Sequence, residues 1–340
     1  MRERLERLWY EDGAGIPLLA PLGWIYGALS GARRRAYRSG WLRPRPLASP
    51  VVVVGNLTVG GTGKTPLTIY LARELSAANL KVGIVSRGYG RRGAGMRSVQ
   101  PDSDWRDVGD EPVILARRTG CPTMVAADRV AGARTLIARG ADLILADDGL
   151  QHLPLKRDCE IVVVDGSRGF GNGRLLPAGP LREPPDELAR ADLVVVNGEP
   201  AHRSLKSPAL PAGALRMQLV AQAAVRLDGR GAPCELAAFR GRRVHAVAGI
   251  GNPQRFFQQL SAHGMEVIAH PFPDHHPFTE RELSFGDELP VLMTEKDAVK
   301  CAPFANARLW YVPVSAAFSD GDAQALRARV LGKLRAMSGG

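Results

Sequence analysis

The chain has 340 residues, 45 Lys+Arg against 34 Asp+Glu for a net charge of +11, and 45% hydrophobic content. That length and composition give a globular protein of about two domains and exclude a disordered or collagen-like chain. Four cysteines, far apart and without a C-x-x-C pair, exclude a disulfide framework and a zinc ribbon and fit a reducing compartment. Residues 1–45 hold nine Arg against four acidic residues, so +5 of the charge sits at the N-terminus. There, residues 13–32 are uncharged and are followed at once by Arg33, Arg34, Arg35 and Arg38. The length is borderline for a membrane span, and Pro17, Pro21 and five glycines argue against one unbroken helix. Three readings are open: an interfacial segment with Trp24 and Tyr26 at the headgroups and the arginines on lipid phosphates, a span, or a segment packed on the protein's own core. The first is the expectation taken forward.

After a Pro-rich stretch, short β-branched runs alternate with helical patterns. Val51–Gly55 and 81–85 predict strands, 66–76 a helix with Pro at its start, and 110–119 and 128–139 helices closed by glycines. Residues 143–147, 161–165 and 193–197 predict further strands, each apolar up to a polar C-terminal residue. Uniformly apolar strands separated by helices mean a parallel sheet covered on both faces, with Asp147, Asp148, Asp165 and Asn197 on the rim where such sheets bind ligands. Gly198–Gly213 reads as a linker. A second α/β unit follows, with strands at 244–248, 265–270, 291–294 and 309–312, a helix at 253–263 and a final helix near 323–337.

The first strand leads into Gly55-Asn-Leu-Thr-Val-Gly-Gly-Thr-Gly-Lys-Thr65 and then a helix, the context of a phosphate-binding loop. Thr58, Val59, Gly60, Gly61, Thr62, Gly63, Lys64 and Thr65 are its nucleotide-binding residues, with Lys64 reaching the β/γ-phosphates and Thr65 a Mg²⁺ ion. Thr58 stands where the common pattern has glycine. A GTPase needs an N/T-K-x-D stretch. Asn197-Gly-Glu-Pro200 fails as one, and Thr294-Glu-Lys-Asp297 has its Lys one place late. Asp147 and Asp148 end an apolar strand, where a carboxylate holds Mg²⁺ opposite a phosphate loop, and can orient Gln151 or His152. Asp110 opens a helix and reads either as its cap or as a general base. His275 and His276 read equally as a metal pair, an acid/base element or a solvated loop. Arg87, in a basic loop, and Arg182 suit an anionic substrate, and Glu183 suits a metal.

Together these blocks (Val54–Pro66, Ser86–Gly90, Val108–Pro112, Ala146–His152, Gly179–Pro184, Ala248–Pro253, Phe272–His276 and Thr294–Lys300) resemble, in order, the tetraacyldisaccharide 4'-kinase family of lipid A biosynthesis. The resemblance implies ATP- and Mg²⁺-dependent phosphorylation of the 4'-hydroxyl of an acylated glucosamine disaccharide 1-phosphate, giving lipid IVA. It implies Asp110 as the base paired with His275, with Lys64 catalytic. Thr65, Asp147, Asp148 and Glu183 become metal candidates, and Arg87, Gln151, His152 and Arg182 substrate residues. It also implies an N-terminal segment on the cytoplasmic face of the bacterial inner membrane, peripheral or monotopic. A nucleotide-switch ATPase or GTPase acting on a membrane or protein partner is the alternative. The expected partners are the acylated disaccharide and an anionic lipid surface, with no nucleic acid, and the expected state is a monomer. The expected fold is α/β: a P-loop NTPase-like parallel sheet with helices on both faces, a second smaller α/β domain and an N-terminal membrane-associated helical arm. The expected division is arm 1–45, kinase core 46–198, linker 199–225, smaller domain 226–320 and C-terminal helix 321–340.

Overall fold

The computed structural model describes residues 8–10, 19–206 and 210–338. Two sheets organise it. The larger contains β1 (Val51–Gly55), β2 (Val82–Ser86), β3 (Arg97–Val99), β4 (Thr123–Val125), β5 (Leu143–Asp147), β6 (Cys159–Asp165), β7 (Leu193–Asn197) and β8 (Leu215–Ala221). The smaller contains β9 (Val225–Arg226), β10 (Arg243–Ala248), β11 (Glu266–Pro271), β12 (Val291–Thr294) and β13 (Leu309–Val312), after which β14 (Val314–Phe318) returns to the larger sheet.

The larger sheet runs β14-β8-β7-β6-β1-β5-β2-β4-β3, parallel throughout except for its two edge strands, which pair antiparallel. β1 lies at its centre, and its four valines are at most 1% exposed. Side chains alternate across a strand. Val52 and Val54 therefore join a core with Leu67, Leu71, Val113 and Leu115 on one face, while Val51 and Val53 join Val130, Ala133 and Leu136 on the other. Full burial of each such side chain stabilises the fold by roughly 1.5–3 kcal/mol. This is the expected sheet with helices on both faces. The smaller sheet runs β11-β10-β12-β13-β9, with only β9 antiparallel.

The chain path differs from the expected succession of segments. Residues 199–225, read as a linker, contain β8, and β14 with the helix Asp320–Ser338 packs on the larger sheet. The smaller lobe is thus inserted between two strands of the larger one. β8 escaped notice because its sequence, LRMQLVA, alternates exposed and buried residues instead of forming an apolar run.

The arm also differs. Much of it lies outside the described residues, but Ala20–Arg38 is one uninterrupted helix. Pro21 falls in its first turn, where no backbone donor is required, so it does not break the helix. Gly23 and Gly27 let the helix approach its own protein: a Cβ at Gly27 would stand 2.7 Å from Leu175 Cδ1, and one at Gly23 3.2 Å from the Leu175 carbonyl. Its other face leaves Leu22, Trp24, Ile25 and Leu29 more than half exposed. No helix among the described residues is long and apolar enough to cross a membrane.

Candidate active site

A cleft of about 790 Å³ opens between the lobes, lined by the phosphate loop, the start of the helix Lys64–Ala77, the loop after β10 and the 274–275 turn. Its size suits a nucleotide or similar ligand. The phosphate loop is held from several sides. Val59 N donates to the Pro180 carbonyl at 2.8 Å, and Asn56 Nδ2 donates to the Thr58 carbonyl at 2.7 Å. Asn197 Nδ2, at the end of β7, donates to the Thr62 carbonyl at 2.9 Å. Gly63 has φ +98°, and a Cβ there would lie 2.7 Å from Asn197 Nδ2, so glycine is required by both conformation and space. Thr58 is buried, and its backbone bridges to Leu181.

Lys64 Nζ donates to Asn56 Oδ1 at 3.0 Å and lies 3.5 Å from Asp148. Arg182 contacts both Asp148 oxygens at 3.1 and 3.2 Å and Gln151 Oε1 at 3.2 Å. Burial alone would raise the Asp148 pKa, but Lys64 and Arg182 outweigh it and hold the carboxyl well below the usual range. Asp147 is the opposite case. Burial, then Glu111 and Asp148, push it up to about 7 against the pull of Lys64 and Thr68. Thr68 Oγ1 donates to its Oδ1 at 2.9 Å, while its buried Oδ2 has no partner.

That orphaned oxygen is what a bound Mg²⁺ would satisfy. Thr65 and Asp148 line the cleft, Asp147 itself is buried, and no three His, Cys, Asp or Glu residues among those described form a metal cage. The donor set fits Mg²⁺, which takes one or two carboxylates and leaves its other positions to water and phosphate oxygens. Glu183 sits one residue further back: Gln151 Nε2 bridges its Oε1 at 3.1 Å and the Asn56 carbonyl at 3.2 Å. Burial raises the Glu183 pKa, opposed by Arg34 and by the Gln151 hydrogen bond.

On the opposite side, Gly109 caps the helix Asp110–Thr119 and Asp110 is its first residue, not its cap. Asp110 is 3% exposed. Its Oδ1 accepts from Glu111 N at 2.8 Å, and its Oδ2 lies 3.1 Å from His275 Nδ1, brought over by the smaller lobe. Burial raises its pKa, but Lys296 and then the hydrogen bond and charge of His275 overcome this and bring it down to about 2. The two histidines diverge: His276 Nε2 pairs with Glu282 Oε1 at 2.9 Å, so they form no metal pair.

Arg87 and His152 also line the cleft, joined by Arg129, which sequence reasoning missed. Arg129 donates to the Asp148 carbonyl at 3.2 Å and lies 3.4 Å from His152 Nδ1. Burial first, and Arg129 second, lower the His152 pKa to about 4, so it is neutral at physiological pH. Arg255 was missed too. It donates to Asn197 Oδ1 at 2.9 Å, while Gly251 is so close to the phosphate loop that a Cβ would meet Gly61 N at 3.1 Å. The two GTPase-like stretches have other work: Asn197 braces the loop, and Asp297 takes the Gly249 N–H at 2.9 Å and the Thr294 hydroxyl at 2.6 Å.

Comparison with known proteins gives a consistent picture. The family described as Tetraacyldisaccharide-1-P 4'-kinase matches residues 16–335. A tetraacyldisaccharide 4'-kinase of Alkalilimnicola ehrlichii is 54% identical over 88% of this chain and 87% of its own. One from Aromatoleum aromaticum is 50% identical over 98% of each. Among solved structures, LpxK of Aquifex aeolicus, crystallised with ATP, aligns with a TM-score of 0.74 at 28% identity, covering 93% of this chain and 98% of that one. The chain belongs to the tetraacyldisaccharide 4'-kinase family.

Proposed function

We propose that this protein transfers the γ-phosphoryl group of ATP to the 4'-hydroxyl of tetraacyldisaccharide 1-phosphate, forming lipid IVA, at the cytoplasmic face of the bacterial inner membrane. The observation that carries the reading is the meeting of Asp110 and His275 at 3.1 Å, from different lobes, beside a phosphate loop. A nucleotide switch needs the loop but has no use for a buried carboxylate held by an imidazole that lines the cleft.

Lys64 and the backbone N–H groups at the start of the helix Lys64–Ala77 bind phosphate oxygens. Thr65, Asp147 and Asp148 would hold a Mg²⁺ ion, which when bound would neutralise charge on the transferring phosphoryl group. Asp110, ionised at neutral pH, orients the acceptor hydroxyl and takes its proton late in the transfer, with His275 fixing the carboxylate. Arg87, Arg129 and Arg182 recognise anionic substrate groups, with Gln151 and His152 beside them. Gly251 and Arg255 bring the smaller lobe onto the loop, which excludes water from the reacting atoms.

The helix Ala20–Arg38 links the site to the membrane. Tyr26 lines the cleft and donates to the Arg182 carbonyl at 3.1 Å, while the exposed Leu22, Trp24, Ile25 and Leu29 suit the headgroup boundary. Its arginines serve two ends. Arg34 and Arg38 pair with Glu187 and Arg33 donates to the Gln151 carbonyl, so the helix is pinned to the protein more than the run of positive charge suggested. Incubating the protein with labelled ATP and the disaccharide acceptor in anionic vesicles tests the function: label should appear in the lipid. Consumption of ATP with an unlabelled acceptor would favour the switch reading.

A further inference from the structure

His275 can face Asp110 usefully only in one tautomer, and the structure holds a device for selecting it. Lys296, at the start of the helix Glu295–Cys301, is half-buried at the junction of the lobes, where it lines the cleft. Its ammonium has three N–H donors and no acceptor. Three acceptors lie within its reach: Glu111 Oε1 at 3.0 Å, Asp274 Oδ1 at 3.2 Å and His275 Nε2 at 3.3 Å. A nitrogen that faces an ammonium must accept. Nε2 is therefore bare, the ring proton sits on Nδ1, and Nδ1 points at Asp110 Oδ2 at 3.1 Å. Asp274 Oδ2 lies 3.7 Å from Nε2, farther than the ammonium and beyond hydrogen-bond reach.

We propose that Lys296 is a positioning residue that fixes His275 as the Nδ1–H tautomer and so holds Asp110 as an oriented, hydrogen-bonded carboxylate. The inference rests on the reading of Asp110 as the base. Lys296 and His275 both come from the smaller lobe, so the tautomer is set within that lobe, and docking brings Asp110 and Glu111 of the larger lobe onto the preset pair. A second cross-lobe pair, Arg118 with Glu295 at 2.8 Å, fastens the same two helices. The left-handed backbone of His275, φ +63°, and its 3.3 Å bond from N to the Gly249 carbonyl aim the ring into this arrangement. The lysine's charge is secure: burial opposes it, but Glu111, Asp110 and Asp274 together raise its pKa.

The test is ¹⁵N NMR of the full chain labelled at the histidine ring nitrogens, with His275 identified by the signals missing from His275→Asn. The wild-type spectrum should show protonated Nδ1 and bare, hydrogen-bonded Nε2. Lys296→Met should mix the tautomers and lower kcat by roughly 10–100-fold, with KM for ATP within about twofold. Lys296→Arg, which keeps charge and donors, should recover the tautomer and part of kcat. A wild-type Nε2–H tautomer overturns the proposal without recourse to any variant. So does a Lys296→Met protein with unchanged tautomer and kcat. Asp110→Asn separates the two readings, because normal turnover in that variant removes the base while leaving the tautomer result to decide the role of Lys296.

Discussion

On the phosphate-loop side of the cleft, the groups come from neighbouring strands of one sheet: Lys64 answers to Asn56 eight residues earlier, and Asp147 ends the strand paired with β1 with Asp148 next after it. On the opposite side, Asp110 and Glu111 meet His275 and Lys296 across 165 and 185 residues, through the docking of two lobes. The electrostatics differ in the same sense. Asp147, short of cations and with one oxygen unpaired, is pushed up to about 7, whereas Asp110, ringed by Lys296 and His275, is brought down to about 2. One side is shaped to receive a cation and phosphates. The other gathers carboxylates around one lysine and one histidine, which suits the proposed role of Asp110 as a base held in place.

Two changes to the first side sharpen the contrast. Gly63→Ala should have the larger effect, since the new methyl meets Asn197 at a left-handed position. A strain of about 1–3 kcal/mol predicts roughly 10–100-fold weaker ATP binding, read by equilibrium titration. The thermal midpoint should fall as well, by a few degrees, because the strain is carried by the folded chain. Asp147→Asn should have a smaller effect, visible without nucleotide or metal. Asp147 binds its proton more tightly folded than unfolded. Its contribution to stability is therefore full below about 3.8 and is lost as pH rises through about 7. The wild-type midpoint should accordingly fall across that window more than that of Asp147→Asn, as followed by calorimetry. Parallel curves for the two proteins would mean that burial does not raise the Asp147 pKa.

The same contrast explains what was legible in the sequence. The central strands, the phosphate loop and the Asp147–Asp148 pair announce themselves by apolar runs and close spacing, and the structure puts them together. β8 and β14 carry no such run, being less covered strands, so the return of the chain to the larger sheet was invisible. The helix Ala20–Arg38 was obscured by proline and glycine, whose effect depends on position in the turn and on what the glycine faces. Arg129, Arg255 and Lys296 sit in ordinary helical sequence, and only tertiary packing aims them at the cleft. Lys296 did lie inside a block singled out for its resemblance, but spacing alone could not say that its ammonium would meet His275 from the next segment of the same lobe.

The central claim is that the two sides act together, one binding nucleotide and the other supplying the base. Its most direct test is single-turnover phosphoryl transfer by Asp110→Ala, measured alongside ATP binding. ATP should bind as tightly as in the wild type while transfer to the lipid acceptor falls by about 10²–10⁴-fold. Near-normal transfer by Asp110→Ala would contradict the account.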